Sequence, residues 1–370
     1  MSRRQSLGLV LSLLRASVER DPQSCSPHPD AAVADWEAVV ALASAHLVLP
    51  ALSPVASAAG APRDAAEFLA AIHRANGERN ADLLRALLQL THSLNSRGIE
   101  PVVLKGGCFL VAEHGRGEPP APWRFLSDLD LLIGERELPG AVEVARDLGY
   151  RSPRSGYDRE RDAHYPGLES PCGRFALELH TRLFARSELP AFDRRLSARA
   201  AAISNDGARL HLPTPADRIA HLIAHAQLHH RHFALRRLQL RGFLELSHLL
   251  GRAAARGLWG EALAPFAEAG QRRAATAYIA AWRRIMDARA DEVFLSRDDH
   301  RWAAAAVRQL AWPARLRILT ESLRATRDEA ARALGDSDVL QRHLRVLVSP
   351  RQLAERLLRH RERLRQAHWA

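Results

Sequence analysis

The stretch Arg124-Phe-Leu-Ser-Asp128-Leu-Asp130-Leu-Leu-Ile133 decides how this chain is read. Its second half is apolar apart from two aspartates at i and i+2. In an extended strand that spacing puts both carboxylates on one face and Leu129 and Leu131 on the other, toward a core. Two carboxylates held close together repel unless a cation lies between them, so the pair suggests a divalent metal; all-oxygen ligands suit Mg²⁺ or Mn²⁺. The plainer alternative is that Asp128 and Asp130 end a strand and pair with nearby arginines, which are plentiful here.

Downstream, Phe175-Ala-Leu-Glu178-Leu-His180 repeats the pattern, with Leu177 and Leu179 opposed to Glu178 and His180. If the two strands are neighbours, Glu178 completes a three-carboxylate site, and Asp128, Asp130 and Glu178 become the candidate catalytic and metal-binding residues. Such a site can hold two metals, one at a triphosphate and one lowering the pKa of an attacking hydroxyl; Glu178 is then a general base or a ligand of the second metal. Upstream, Pro101-Val-Val-Leu104 reads as a short strand running through Lys105-Gly106-Gly107 into a helix over 108–113. Glycines there let backbone approach a ligand, and the N–H groups of a helix N-terminus face an anion. Lys105, Gly106 and Gly107 are therefore candidate phosphate binders, joined by Ser127 and by Arg124, whose guanidinium can make a bidentate contact. Of the 53 basic residues 52 are arginine, and Lys105 is the remaining one. The use of a compact ammonium at this position points to a need for its shape.

Length and composition narrow the classes. A chain of 370 residues, 47% apolar, can bury a sizeable core, and Arg or His punctuates every stretch long enough to be a membrane span. Arg3, Arg4 and the leucines that follow faintly suggest a leader, but Arg15, Glu19 and Arg20 come at once, and Leu7, Leu11 and Leu14 fit an amphipathic helix. Three cysteines without a CxxC pair suggest neither a disulfide framework nor a zinc ribbon, and fit the cytoplasm; Cys108 is read as packing. A net charge of +11 admits a polyanion partner, though the arginines are scattered along the whole chain.

Apolar residues recur at helical spacing over 36–47 and 65–94, a further helix is expected over 138–148, and the chain beyond 213 is again helical. The expected fold class is α+β: a small mixed sheet over 99–213, flanked by helical regions over 1–98 and 214–370. His221, His225, His229 and His232, with His230 beside them, fall on one helical stripe. The stripe is read as lining a substrate pocket, with His225, His229 and His180 as the pocket residues. A structural face is the bland reading, and zinc has neither Cys nor acid nearby to help it. The arginine-rich segment 351–365 is expected to be a solvated helix face, or else a surface for RNA or an anionic membrane.

As a set, Leu104-Lys-Gly106, Arg124-x-x-x-Asp128-Leu-Asp130-Leu-Leu, Gly149-Tyr150, Leu177-Glu-Leu-His180 and the histidine-bearing helix resemble the uncharacterised bacterial nucleotidyltransferase family of the polymerase-β-type superfamily, over about residues 36–250. The resemblance implies a nucleotidyltransferase fold, Mg²⁺, and transfer of a nucleoside monophosphate from ATP or another NTP to a hydroxyl-type acceptor, such as a small molecule, peptide or RNA, with release of pyrophosphate. Two departures stand out. The interval from Gly107 to Asp128 is long and carries Pro119, Pro120 and Pro122; and where the family tends to place a late aspartate, this chain has Gly242 or Glu245. The runner-up is a catalytically silent nucleotidyltransferase-like module that binds nucleotide or RNA as an adaptor or regulator.

Overall fold

Six strands carry the core of the computed structural model, which describes residues 3–18, 27–152, 163–184, 188–252, 257–288 and 292–335. They are β1 (Val102–Val103), β2 (Asp128–Leu132), β3 (Leu168–Glu169), β4 (Ala176–His180), β5 (Ala201–Asn205) and β6 (Ala208–Leu212). The sheet order is β3-β4-β2-β1-β6-β5, with β2 parallel to β4, β1 parallel to β6, and the other neighbours antiparallel. Helices precede and follow this sheet, so the fold is α+β with a small mixed sheet and helical flanks. No described helix is long and apolar enough to cross a membrane.

Before the sheet come α1 (Arg3–Ser17), α2 (Trp36–Ala45), the short α3 (Ser53–Ala56) and α4 (Arg63–Asn95). Asp35 caps α2 through the Ala38 N–H. At 33 residues, α4 spans roughly 50 Å. Its leucines at 83, 84, 87, 88, 90 and 94 pack on the sheet side, and two asparagines, Asn76 and Asn80, are buried among them. Within the core region lie α5 (Gly107–His114), α6 (Leu138–Asp147) and α7 (Phe192–Arg199).

β5 and β6, which the hydrophobic pattern does not announce, form a hairpin around Asp206-Gly207. Both residues have positive φ, 48° and 80°, the backbone that a tight two-residue turn requires. After the sheet, α8 (Pro215–Ala224) starts with Thr214 as cap and a proline in its first turn. It runs into a π-helical turn, His225–His229, then a single turn α9 (His232–Leu235), and α10 (Leu240–Arg252). Three more helices, α11 (Leu258–Glu268), α12 (Arg272–Met286) and α13 (Arg297–Leu310), pack beyond, and α14 (Ala314–Gly335) returns against α9. The expected single histidine helix is thus corrected. A π-turn shifts the angular progression along the axis, and Arg231, left-handed at φ 58°, ends it before His232. The segment 351–365 lies outside the described residues.

Candidate active site

The pairing of β2 with β4 sets the geometry. In their parallel register Asp130 lies opposite Glu178, and Leu129 and Leu131 lie opposite Leu177 and Leu179. The four leucines are fully buried on one face. On the other face the His180 Nε2 is 2.8 Å from Asp130 Oδ1 and 3.4 Å from Glu178 Oε2. Asp130, Glu178 and His180 each offer one ligand atom, all within 4.8 Å of one another. Two carboxylate oxygens and an imidazole nitrogen so spaced fit a divalent cation. Asp128 lies outside this close group: it is half-buried at the start of β2 and accepts a hydrogen bond from the exposed Ser127 Oγ at 3.3 Å. His180, read from sequence as a pocket residue, is instead one of the converging group.

Lys105 supplies the positive charge. At the end of β1 it adopts a left-handed φ of 46°, and Leu104 N–H donates to the Asp130 carbonyl, which brings the two segments together. The Lys105 ammonium donates to Asp130 Oδ1 at 2.6 Å and stands 3.9 Å from Glu178 Oε2. Burial opposes the charge on Lys105, yet Asp130, Glu178 and Asp128 outweigh it and raise its pKa. Burial likewise disfavours ionised Asp130, but Lys105 and His180 hold its carboxyl well below the usual range. His180 is raised in turn: burial opposes its charge, and hydrogen bonds to Asp130 and Glu178 prevail. Asp128 goes the other way, raised by burial and then by the charge of Asp130.

The two glycines admit neighbours. A methyl on Gly106 would overlap the Arg124 guanidinium and Leu126, and one on Gly107 would come within 2.7 Å of Val103 Cγ1. Arg124 is buried against this turn and pairs with Glu245 of α10 at 3.0 Å; Arg241 also reaches Glu245, at 3.4 Å. The sequence carries no role to Glu245, since the resembled family tends to place an aspartate in this region and this chain has Gly242 or Glu245 instead. The proline-bearing segment is held from several sides. Asn76 and Asn80 donate to the carbonyls of Ala121, Pro122 and Arg124, and the buried Glu113 carboxylate accepts from Ala121 N–H and Trp123 Nε1. Trp123 also stacks on His248 at 3.8 Å between ring centroids.

Between this turn and the C-terminal helices lies a small cavity of about 70 Å³, room for a few waters, whose walls include Lys105, Arg124, Arg218, Arg241, His225 and Tyr278. His225 and His229 stack on each other at 5.2 Å. Burial, then the charge of Lys105, depresses both, His225 strongly; of the two, His225 lines the cavity. His221, buried and also lining the cavity, is pushed down to about 3 by burial and then by the same ammonium.

No curated protein and no solved structure matches the chain. A family described as uncharacterised nucleotidyltransferase matches residues 32–287, from just before α2 through the end of α12. With that match running over more than half of the 370 residues and enclosing the acidic group, the Lys-Gly-Gly turn and the histidine wall, the chain belongs to the uncharacterised nucleotidyltransferase family.

Proposed function

We propose that the protein transfers a nucleoside monophosphate from an NTP to a hydroxyl-type acceptor and releases pyrophosphate. The observation that supports this most is the β2–β4 register, which sets Asp130 beside Glu178 and brings the His180 Nε2 to Asp130 Oδ1. Asp130, Glu178 and His180 would hold a divalent cation, Mg²⁺ or Mn²⁺, which when bound polarises phosphoryl oxygens and acidifies the acceptor hydroxyl.

The chain's own residues do the remainder. The acceptor oxygen forms a bond to the α-phosphorus while the bond from that phosphorus to the bridging oxygen breaks, and the electron pair leaves with pyrophosphate. The acceptor proton passes to Asp128, the half-buried carboxylate outside the close group. Positive potential for the polyphosphate comes from Lys105, from Arg124 and from the Gly106-Gly107 start of α5, with the Ser127 hydroxyl at the rim. His225 and His229 face the substrate as neutral groups, able to hydrogen-bond without adding charge. The two free cysteines among the described residues, Cys108 buried and Cys172 exposed, fit a reducing cytoplasm.

Incubation with NTP labelled at the α-phosphate, Mg²⁺ or Mn²⁺ and cell extract is expected to yield a labelled acceptor, and Asp130→Asn is expected to lower the yield by about a thousandfold. Failure to label anything, combined with failure to bind NTP, would remove this reading. One observation favours a second reading, a silent module that binds nucleotide or RNA: Lys105 already neutralises the carboxylates as a cation would. Binding that survives Asp128→Ala and Asp130→Ala, with no labelled product from the unaltered protein, would decide for it.

A further inference from the structure

A second cleft, of about 600 Å³, opens on the far side of the histidine segment, between the end of α2, residues 235–239, α13 and α14. Its size falls within the roughly 300 to 1,000 Å³ typical of small-molecule pockets. The lining has two characters. One part is apolar: Leu235, Leu238, Leu310, Ile318 and several alanines. The other is cationic: Arg236, Arg237 and Arg317 face a single acid, Glu321, and none of the three guanidiniums forms a salt bridge among the described residues.

Two further lining side chains each carry one buried nitrogen without a partner among the described residues, although the Gln309 Oε1 accepts from Arg324 at 2.6 Å. His46 is 6% exposed with its Nε2 unsatisfied, and Gln309 is 2% exposed with its Nε2 unsatisfied. Buried polar atoms left in this state destabilise a fold unless something meets them. The backbone beside the cleft is also strained: Arg236, which lines it, and Arg231, which does not, have φ of 52° and 58° and bracket the single turn of α9, directly after the π-turn. Non-glycine residues persist in that region where surrounding structure enforces it, and such strain gathers at binding sites. Gln239 lines both this cleft and the small cavity behind Lys105, so one short segment separates the two.

We propose that this cleft is a second binding site, distinct from the metal and nucleotide site, for a small molecule that joins a phosphate group to an apolar body. The three guanidiniums recognise the phosphate through charge-assisted forks. The leucine and isoleucine wall covers the apolar part, and His46 and Gln309 supply neutral hydrogen bonds. Inorganic phosphate lacks the body for the wall, and a neutral aromatic alcohol lacks the charge for the arginines.

The test is calorimetric titration of the full chain, without metal or NTP, with phenyl phosphate, inorganic phosphate and benzyl alcohol. Phenyl phosphate is expected to bind more tightly than either comparator. Arg237→Met with Arg317→Met is expected to weaken it by about tenfold or more. Ala325→Trp, which fills the cleft and leaves its charge alone, is expected to abolish binding, a check that does not depend on the arginine variant folding well. Asp130→Asn is expected to leave binding unchanged, which separates this site from the nucleotidyl-transfer reading. Absence of phenyl phosphate binding, or binding that survives both cleft variants, overturns the proposal; so does binding that is lost with Lys105→Met and kept with the cleft variants, since it then belongs to the catalytic cavity.

Discussion

At Lys105 a left-handed φ turns the chain out of β1 and aims the ammonium at Asp130 Oδ1, so two facing carboxylates are balanced by protein alone. Lys105→Met takes that balance away and leaves Asp130, 2% exposed, beside Glu178. Breaking a fully buried pair in this way costs about 3–5 kcal/mol; with Glu178 a quarter open to solvent, a loss of about 2–4 kcal/mol in urea unfolding without metal is expected. Added Mg²⁺ or Mn²⁺ is expected to stabilise the variant more than the unaltered protein, because in the variant the cation meets no competing ammonium. Equal stabilisation of both would show that Lys105 and the metal do not share a place. The lysine stands out in the sequence by its solitude among 52 arginines, whereas its pairing with Asp130 does not. Sequence reasoning gave Lys105 to phosphate, since a strand–glycine–helix turn is an anion site on general grounds, and strand order alone brings Asp130 across to it.

Among elements, the tie between the sheet and α10 rests on Arg124 and Glu245, each 6% exposed at the side chain and 3.0 Å apart. Glu245→Gln leaves Arg124 and Arg241 side by side without the carboxylate that both contact. A loss of about 3–5 kcal/mol is expected, read as a shift in denaturation midpoint; a loss under about 1 kcal/mol would show that solvent or another acid takes over. What could be read ahead of the structure at this scale follows the physics of repeats. Period-two alternation marked β2 and β4 and therefore the face that carries Asp130, Glu178 and His180. Helical spacing marked α2, α4 and α6 to within a few residues. The β5–β6 hairpin went unread although Asn205-Asp206-Gly207 is a turn signal, because β5 is exposed at the sheet edge and lacks an apolar face. The π-turn at His225–His229 leaves no mark in residue spacing, so a broken stripe looked continuous.

Over the whole molecule, the histidines set the response to acid. His46, His221 and His232 are each pushed down to about 3 by burial first and then by neighbouring positive charge. Their folded values lie below the unfolded value near 6.5, so their full contribution is present above pH 6.5 and is lost as pH falls toward 3. Each adds about 1.4 kcal/mol per pH unit, and the three together about 4 kcal/mol per unit once the solution is well below 6.5. His180 has the opposite sign: its raised value makes its contribution complete below 6.5 and lost as pH climbs through the folded pKa. Melting temperature against pH is therefore expected to peak above 6.5 and to fall steeply by pH 5; a flat profile between pH 6.5 and 5 would contradict the burial of the three imidazoles. The long α4 has its own consequence. Its two interior asparagines grip the peptide oxygens of Ala121, Pro122 and Arg124, one helical turn apart. The helix thus serves as a splint for the loop that launches the aspartate strand. A piece of the chain excised from residue 99 onward would start that strand from unsecured rope, with three carbonyls stripped of their amide anchors.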